Sequence, residues 1–399
     1  MEPLNGTALE EYVIQLRRDF HRNPELGGEE ERTSAIVQQE LAKLEIPSEA
    51  GFAKTGVLGV IEGESPGPTV ALRADMDALP IHERAKHDYI SVVPGKMHAC
   101  GHDAHTAMLL GAAHYIMGRR KELNGRVLLV FQPAEEVSPI GGAQPMMEQG
   151  VFDKYVPDVM FAQHVWPKLP VGQFGVKPGY VMGASDKFQI TITGSGGHAS
   201  MPHQSVDVIM AVNQVISGIQ TIVSRNVDPL KQAVVTIGLV QSGYRYNVIA
   251  DTAYLEGTVR TFDPAVRAQI EKRLGEIVAY SCQAMGAKSE LTYTRGYPCT
   301  VNDENTAAFV KRTIIGLHGS ESCPDIEPSL AGEDFARFLE KYKGVYYWLG
   351  VGGDKGDFPA LHDPAFDLDE RALKIGYTTM GNVALAYCQR VAQALPPIR

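Results

Sequence analysis

What this 399-residue sequence lacks narrows its function first. It has no surplus of basic charge: 37 Lys and Arg face 47 Asp and Glu, a net charge of −10. No basic run offsets that balance, so nucleic acid is not an expected partner. No uninterrupted apolar stretch is long enough to span a bilayer, and no membrane partner is expected. The five cysteines, Cys100, Cys282, Cys299, Cys323 and Cys388, are odd in number and scattered. That pattern argues against a disulfide framework and for a reducing compartment. The opening Met1-Glu-Pro-Leu-Asn-Gly-Thr has no basic flank leading into an apolar core, so no signal peptide is read there and a cytoplasmic location is expected. Internal repeats and low-complexity tracts are also missing.

What is present is ordinary globular material with many tight turns, 44% hydrophobic, 21% charged and with 40 glycines. The length exceeds what one hydrophobic core usually serves, so about two domains are expected. Apolar residues recur at helical intervals over 9–20 and 29–44, and β-like segments follow at 56–61 and 69–72. A helix over 103–117, a strand over 126–131, a helix over 142–149 and a strand over 159–163 continue the alternation. Strands alternating with helices, and few tight hairpins, predict an α/β fold whose mixed, largely parallel sheet is flanked by helices. From about residue 185 the rhythm changes to strand 187–193, helix 206–223, strands 233–240 and 252–261, helix 264–285 and strand 288–294. This strand–helix–strand–strand–helix–strand order is the ferredoxin-like split arrangement. The expected architecture is therefore a catalytic domain of residues 1–184 and 299–399, interrupted by a ferredoxin-like α+β domain at 185–298.

The stretch Met97-His-Ala-Cys-Gly-His-Asp-Ala-His-Thr-Ala107 places a thiol and two imidazoles, Cys100, His102 and His105, within six residues. An extended loop can turn Cys100 and His102 toward one ion, and Gly101 leaves the backbone between them unencumbered. Thiolate and imidazole suit zinc, manganese, cobalt or nickel better than magnesium or calcium. Glu135 and Glu136 follow a strand. Neighbouring side chains of extended backbone point opposite ways, so one carboxylate can bind a metal while the other faces substrate. Metal-assisted hydrolysis needs that division. His164 and His362 are each, taken singly, ordinary packing residues. Jointly, one Cys, three His and one Glu suit two metals about 3.5–4 Å apart sharing a water. Asp75 and Asp77 are candidates for orienting the imidazoles. In the inserted region, His198 sits on a glycine-rich loop that lacks a phosphate-loop ending and is suited to meeting an oxyanion. Asn247 and Arg260 offer groups for a substrate carboxylate. Glu333 and Asp334 are explained as acids at the start of a helix. His105, Tyr115 and the Met146-Met147 pair are assigned to structure.

The chain resembles the aminoacylase/hippurate hydrolase family of dinuclear metallohydrolases, in the branch containing the auxin–amino acid conjugate hydrolases. The resemblance runs through His21-Arg-Asn-Pro-Glu-Leu, Leu72-Arg-Ala-Asp-Met-Asp-Ala-Leu-Pro-Ile81, His98-Ala-Cys-Gly-His-Asp-Ala-His, Gln132-Pro-Ala-Glu-Glu, Gly196-Gly-His-Ala-Ser-Met-Pro, Asn247-Val-Ile-Ala-Asp and Gly332-Glu-Asp-Phe. It implies that Cys100, His102, Glu136, His164 and His362 bind two divalent ions, with Cys100 bridging where more distant relatives use an aspartate. Those relatives carry His-x-Asp where this chain has Asp75-x-Asp77, which makes Asp75 a poor ligand candidate. The resemblance further implies that Glu135 is the general base, that His198 stabilises the oxyanion from a lid, and that Asn247 and Arg260 face the substrate carboxylate. The implied reaction is hydrolysis of the amide of N-acyl-L-amino acids. Alternatives are a metallocarboxypeptidase acting on short or N-blocked peptides and an N-acetyldiaminopimelate deacetylase. The implied assembly is a homodimer or homotetramer built through the inserted domain.

Overall fold

The computed structural model describes residues 2–394. The chain divides into two compact units: Met1–Val181, Val301–Glu327 and Asp334–Arg399 form the larger, and Met182–Thr300 with Pro328–Glu333 the smaller. The return of Pro328–Glu333 to the smaller unit has no counterpart in the sequence rhythm.

The larger unit begins with α1 (Gly6–Arg22), α2 (Glu31–Lys43), β1 (Ser48–Phe52), β2 (Gly56–Glu62), β3 (Ser65–Asp75) and α3 (His102–Met117). It continues through β4 (Asn124–Gln132), α4 (Ala143–Glu148), β5 (Val159–Trp166) and β6 (Phe174–Gly175). Strands β7 (Gly179–Met182) and β14 (Thr300–Asn302) lie where the chain passes between units, and α7 (Glu304–His318), α8 (Phe335–Leu339), β15 (Gly344–Gly350) and α9 (Arg371–Ala394) complete the larger one. Its seven strands are ordered β1-β2-β4-β3-β5-β15-β6. The four central strands run parallel, while β1, β2 and β6 pair antiparallel at the margins.

Alternation builds the core. Val70, Leu72 and Ala74 of β3, Val127, Leu129 and Phe131 of β4, and Val345, Tyr347 and Leu349 of β15 join one apolar cluster. The cluster also takes in Leu9, Val13, Leu16 and Phe20 of α1, spaced at helical intervals. Helix α3 is buried almost all round, which only a central helix tolerates. Strand β1 escapes the sequence pattern because four of its five residues are exposed, so it carries no apolar alternation.

The smaller unit contains β8 (Ala184–Thr193), β9 (Gly197–His198), α5 (Val208–Thr221), β10 (Ala233–Ser242), β11 (Val248–Ile249), β12 (Thr252–Thr261), α6 (Pro264–Ala284) and β13 (Lys288–Arg295). Its sheet is fully antiparallel in the order β10-β12-β8-β13, the ferredoxin-like arrangement. Asp207 and Asp263 cap α5 and α6 by accepting backbone N–H bonds, and Pro264 opens α6 where no N–H is needed. Val266, Ile270, Leu274 and Val278 of α6 recur every four residues and meet Phe188, Ile190 and Ile192 of β8 in a separate core. No helix among the described residues is long and apolar enough to cross a membrane.

Candidate metal centre

The parallel strands of the larger unit deliver their polar groups to one end of the sheet, where ligands of open α/β sheets collect. Asp75 ends β3, Glu135 and Glu136 follow β4, and His362 lies in the loop between β15 and α9. His164 lies inside β5, which runs on to Trp166 rather than ending before it. Two non-glycine residues here adopt left-handed backbone, Ala134 at φ 56° and His362 at φ 67°. Such strain gathers where side chains must be aimed. The His362 N–H donates to the Ala99 carbonyl at 2.8 Å, which ties this loop to the one carrying Cys100.

The structure brings together Cys100, His102, Glu136, His164 and His362. One donor group is Cys100, Glu136 and His362, and another is His102, Glu135 and Glu136; within each, the candidate ligand atoms lie within 4.8 Å of one another. Cys100 Sγ is also 3.5 Å from His164 Nε2, which adds His164 to the neighbours of the thiol. His164 Nδ1 meets its neighbour's carbonyl, Val165 O, at 2.8 Å. That contact places the proton on Nδ1 and leaves the Nε2 lone pair facing Cys100.

The chemistry of these donors fits cations. His102 Nε2 and Glu136 Oε1 are buried with no hydrogen-bond partner. Glu136 Oε1 lies 3.0 Å from His362 Nε2 without hydrogen-bond geometry, as two atoms aimed at a common third point would. Burial, then the carboxylates of Glu136, Glu135 and Asp75, pushes the Cys100 thiol well above its ordinary range. A thiolate there therefore requires a cation beside it. Burial alone would lower His102, but Asp75, Asp77 and Glu136 raise it to about 10. A metal ion would take the place of that proton.

The surrounding residues aim these donors. Asp77 Oδ1 accepts the Glu135 N–H at 3.0 Å and lies 3.3 Å from His102 Nδ1. Asp77 Oδ2 accepts the Glu136 N–H at 2.9 Å. One carboxylate thus sets both an imidazole and the paired glutamates. His105 Nε2 accepts the Val165 N–H at 2.9 Å, so its proton is on Nδ1, which meets Asp75 Oδ1 at 2.5 Å. Both nitrogens are engaged by these partners. Gly101 is at φ 84°, and a Cβ there would stand 2.4 Å from Val165 Cγ2. Only glycine fits between Cys100 and His102.

Asp334 corrects the sequence reading. Helix α8 is five residues long and Asp334 makes no side-chain cap to it. Its carboxylate instead accepts from Arg73 Nη2 at 3.0 Å, from Gln132 Nε2 at 2.8 Å, and from the Gly142 and Ala143 N–H groups at 2.9 and 3.0 Å. Its own N–H donates to Glu135 Oε1 at 3.3 Å. The readable signal was Arg73, an arginine inside an apolar strand that must be buried and therefore paired.

In the smaller unit, His198 and Asn247 come together although 49 positions apart in sequence. Val248 pairs with His198 in a two-stranded ribbon, and the Ala199 N–H donates to Asn247 O at 3.2 Å. His198 is exposed, and its Nδ1 accepts the Ser200 N–H at 3.1 Å, which puts the ring proton on Nε2. Asn247 Oδ1 is buried without a partner. Arg260 lies apart from this ribbon on β12, between the inward-facing Val259 and Thr261, and is partly buried.

The family model described as Peptidase family M20/M25/M40 matches residues 71–386. The chain belongs to this family. It is 42% identical over 372 residues to an N-acetyl-L-cysteine deacetylase of Bacillus subtilis, covering 93% of this chain and 87% of that one. It is 39% identical over 385 residues to thermostable carboxypeptidase 2 of Saccharolobus solfataricus, covering 96% and 97%. A crystal structure of a Bacillus subtilis dinuclear metal binding peptidase from this family superposes with a TM-score of 0.83 at 36% identity, covering 96% of this chain and 99% of that one. The mixed α/β fold and the metal-dependent hydrolase class expected from the sequence hold, and the donor set is one that fits two ions.

Proposed function

We propose that this M20-family enzyme hydrolyses the amide bond of N-acyl-L-amino acids, in the cytoplasm, with two divalent ions held by Cys100, His102, Glu136, His164 and His362. Cys100, which lies near His164 and in one donor group with Glu136 and His362, would be the shared ligand, as the family resemblance implies. Zinc, manganese, cobalt or nickel suits the set. Such ions supply Lewis acidity and lower the pKa of water.

The observation that carries the reading is the way the two adjacent glutamates are held beside the other donors. Asp77 fixes both of their backbones, while Glu136 lies among Cys100 and His362 and Glu135 accepts the Asp334 N–H. Glu135 then serves as general base: its carboxylate takes a proton from the attacking water as the new C–O bond forms. The same proton passes to the amine nitrogen as the C–N bond breaks, releasing a carboxylic acid and a free amino acid. His198 carries its proton on Nε2 and donates it as a hydrogen bond to the developing oxyanion. Asn247 and Arg260 receive the substrate carboxylate. Residues 185–298 act as the lid and the dimerisation domain of a homodimer or homotetramer.

The test is amino acid release from N-acetyl, N-benzoyl and N-carbobenzoxy amino acids, N-acetyldiaminopimelate and two dipeptides, with metal content measured on the same sample. Metal-dependent release is expected, and Glu135→Gln is expected to abolish turnover with metal content intact. Normal turnover in that variant would overturn the assignment. The 39% identity to a carboxypeptidase supports a second reading, cleavage of C-terminal residues from short or N-blocked peptides, which the dipeptides of the panel separate.

A further inference from the structure

A second cluster of imidazole and carboxylate groups lies in the larger unit, away from the five donors above. His21 is near the end of α1, and Glu83 and His87 come from the irregular segment 80–98 between β3 and α3. Their candidate ligand atoms lie within 4.8 Å of one another. His21 Nε2 is 3.0 Å and His87 Nε2 3.1 Å from the same oxygen, Glu83 Oε1. The ligand atoms of a tetrahedral zinc ion, with bonds of about 2.0–2.1 Å, stand ~3.3 Å apart. The side chains of His21, Glu83 and His87 are 0%, 5% and 8% exposed.

His21 and His87 both stand at ion-pair distance from Glu83, but only His21 makes a hydrogen bond to it. His87 is nine-tenths buried, and neither of its ring nitrogens has a hydrogen-bond partner. Its ring is held flat on Tyr89, with centroids 3.8 Å apart, and edge-on to His21 at 5.0 Å. That packing fixes Nε2 toward Glu83 without hydrogen-bond geometry. The other groups are arranged as a metal site needs. His21 Nδ1 meets Asp103 Oδ2 at 2.8 Å, the carboxylate–imidazole contact that orients a ligating histidine. Glu83 Oε2 accepts the Ser91 N–H at 2.6 Å, which leaves Oε1 as the ligand atom. The charges agree. Arg17 and Arg18 contact Asp103, Asp367 and Glu370, and with Glu83 these make four carboxylates against two guanidiniums. Carboxylates therefore outnumber guanidiniums around the cluster, which suits a cation.

We propose that His21, Glu83 and His87 form a separate divalent-cation site, of zinc-like preference, that fastens segment 80–98 to α1. Two imidazoles and one carboxylate leave a fourth position for water. The role is structural: the segment has almost no regular structure of its own and leads into the loop that carries Cys100 and His102.

The experiment is equilibrium dialysis of the full chain against zinc, followed by elemental analysis, for the wild type, His87→Ala and Glu83→Gln. The wild type is expected to saturate with one more zinc per chain than either variant, while both variants keep amidase turnover at saturating zinc within about twofold. Equal stoichiometry in all three proteins overturns the proposal. The difference of one ion does not depend on how many ions the other centre holds, so the two readings fail separately. Crystals of the wild type grown with excess zinc decide the matter without any variant. An anomalous peak between His21, Glu83 and His87 supports the site, and no peak there overturns it.

Discussion

Replacing Gly101 with alanine tests whether the short loop between Cys100 and His102 is set by backbone conformation and space. The residue sits at φ 84°, and holding an L-residue in left-handed backbone costs roughly 1–2 kcal/mol. The new Cβ would stand 2.4 Å from Val165 Cγ2, inside a packed core where extra atoms cost about 1–3 kcal/mol. Gly101→Ala should therefore lose ~2–5 kcal/mol. Val165→Ala removes the clashing methyl and by itself costs ~2 kcal/mol through the cavity it leaves. The double variant should cost less than the two single losses together, by the ~1–3 kcal/mol of relieved overlap. The assay is urea unfolding of chelator-treated protein, followed by tryptophan fluorescence. Both tryptophans, Trp166 and Trp348, lie in the larger unit and stack with ring centroids 4.0 Å apart, so the signal reports that unit alone. Losses that add to within about 0.5 kcal/mol would refute the steric argument, because independent sites behave that way.

Other substitutions probe the supports of the centre. Asp77→Asn leaves an amide that cannot accept at both atoms, so one of the Glu135 and Glu136 N–H groups faces a donor. Metal affinity measured by chelator competition should fall by about 10–100-fold, and an unchanged affinity would remove Asp77 from the orienting role. Asp334→Ala strips a carboxylate from the buried Arg73 and should cost about 3–5 kcal/mol in the same unfolding assay. A loss under 1 kcal/mol would show that the guanidinium is satisfied without Asp334. Far from the centre, burial lowers His114 to about 4, and its Nδ1 accepts the Leu4 N–H. Folding then favours the neutral ring, and this contribution is complete above about pH 6.5 and fades as pH falls toward 4. Between pH 7 and pH 5 the wild type should lose up to ~2 kcal/mol more than His114→Gln. Parallel pH curves for the two proteins would contradict this.

The parts legible in the sequence are those whose physical cause is local. Cys100 and His102 announce themselves because two soft donors sit two residues apart on a loop before a helix. Glu135 and Glu136 follow a strand whose alternation is plain, and the strand-end rule places them, whereas His362 is legible only through the joint set of donors and the family resemblance. The βαββαβ order of the smaller unit is legible for the same reason, since each helix and strand there carries its own period. The elements that stayed hidden depend on partners far along the chain. Strand β1 is exposed on four of its five residues, so its place in the sheet is decided by backbone pairing with β2 rather than by side chains. The packing of His87 against Tyr89 and His21 has no period at all.

Asp334 shows where a sound local rule gives the wrong weight. An acid at the start of a helix gains a few tenths of a kcal/mol to ~1 kcal/mol from the helix dipole, and a five-residue helix supplies little dipole. A buried guanidinium left without a partner costs several kcal/mol. The larger energy decides, and it belongs to Arg73, 261 residues away. Leu72-Arg73-Ala74-Asp75 carried half of the warning, because an arginine in a strand otherwise made of Val70, Ala71, Leu72 and Ala74 has no route to water. Asp75 is the partner the sequence displays. With His102 and His105 also close to Asp75, that carboxylate is shared, and a second acid had to be supplied from elsewhere in the chain. Its backbone N–H then became a fixed donor to Glu135, so the need to neutralise one buried arginine also places the proposed general base.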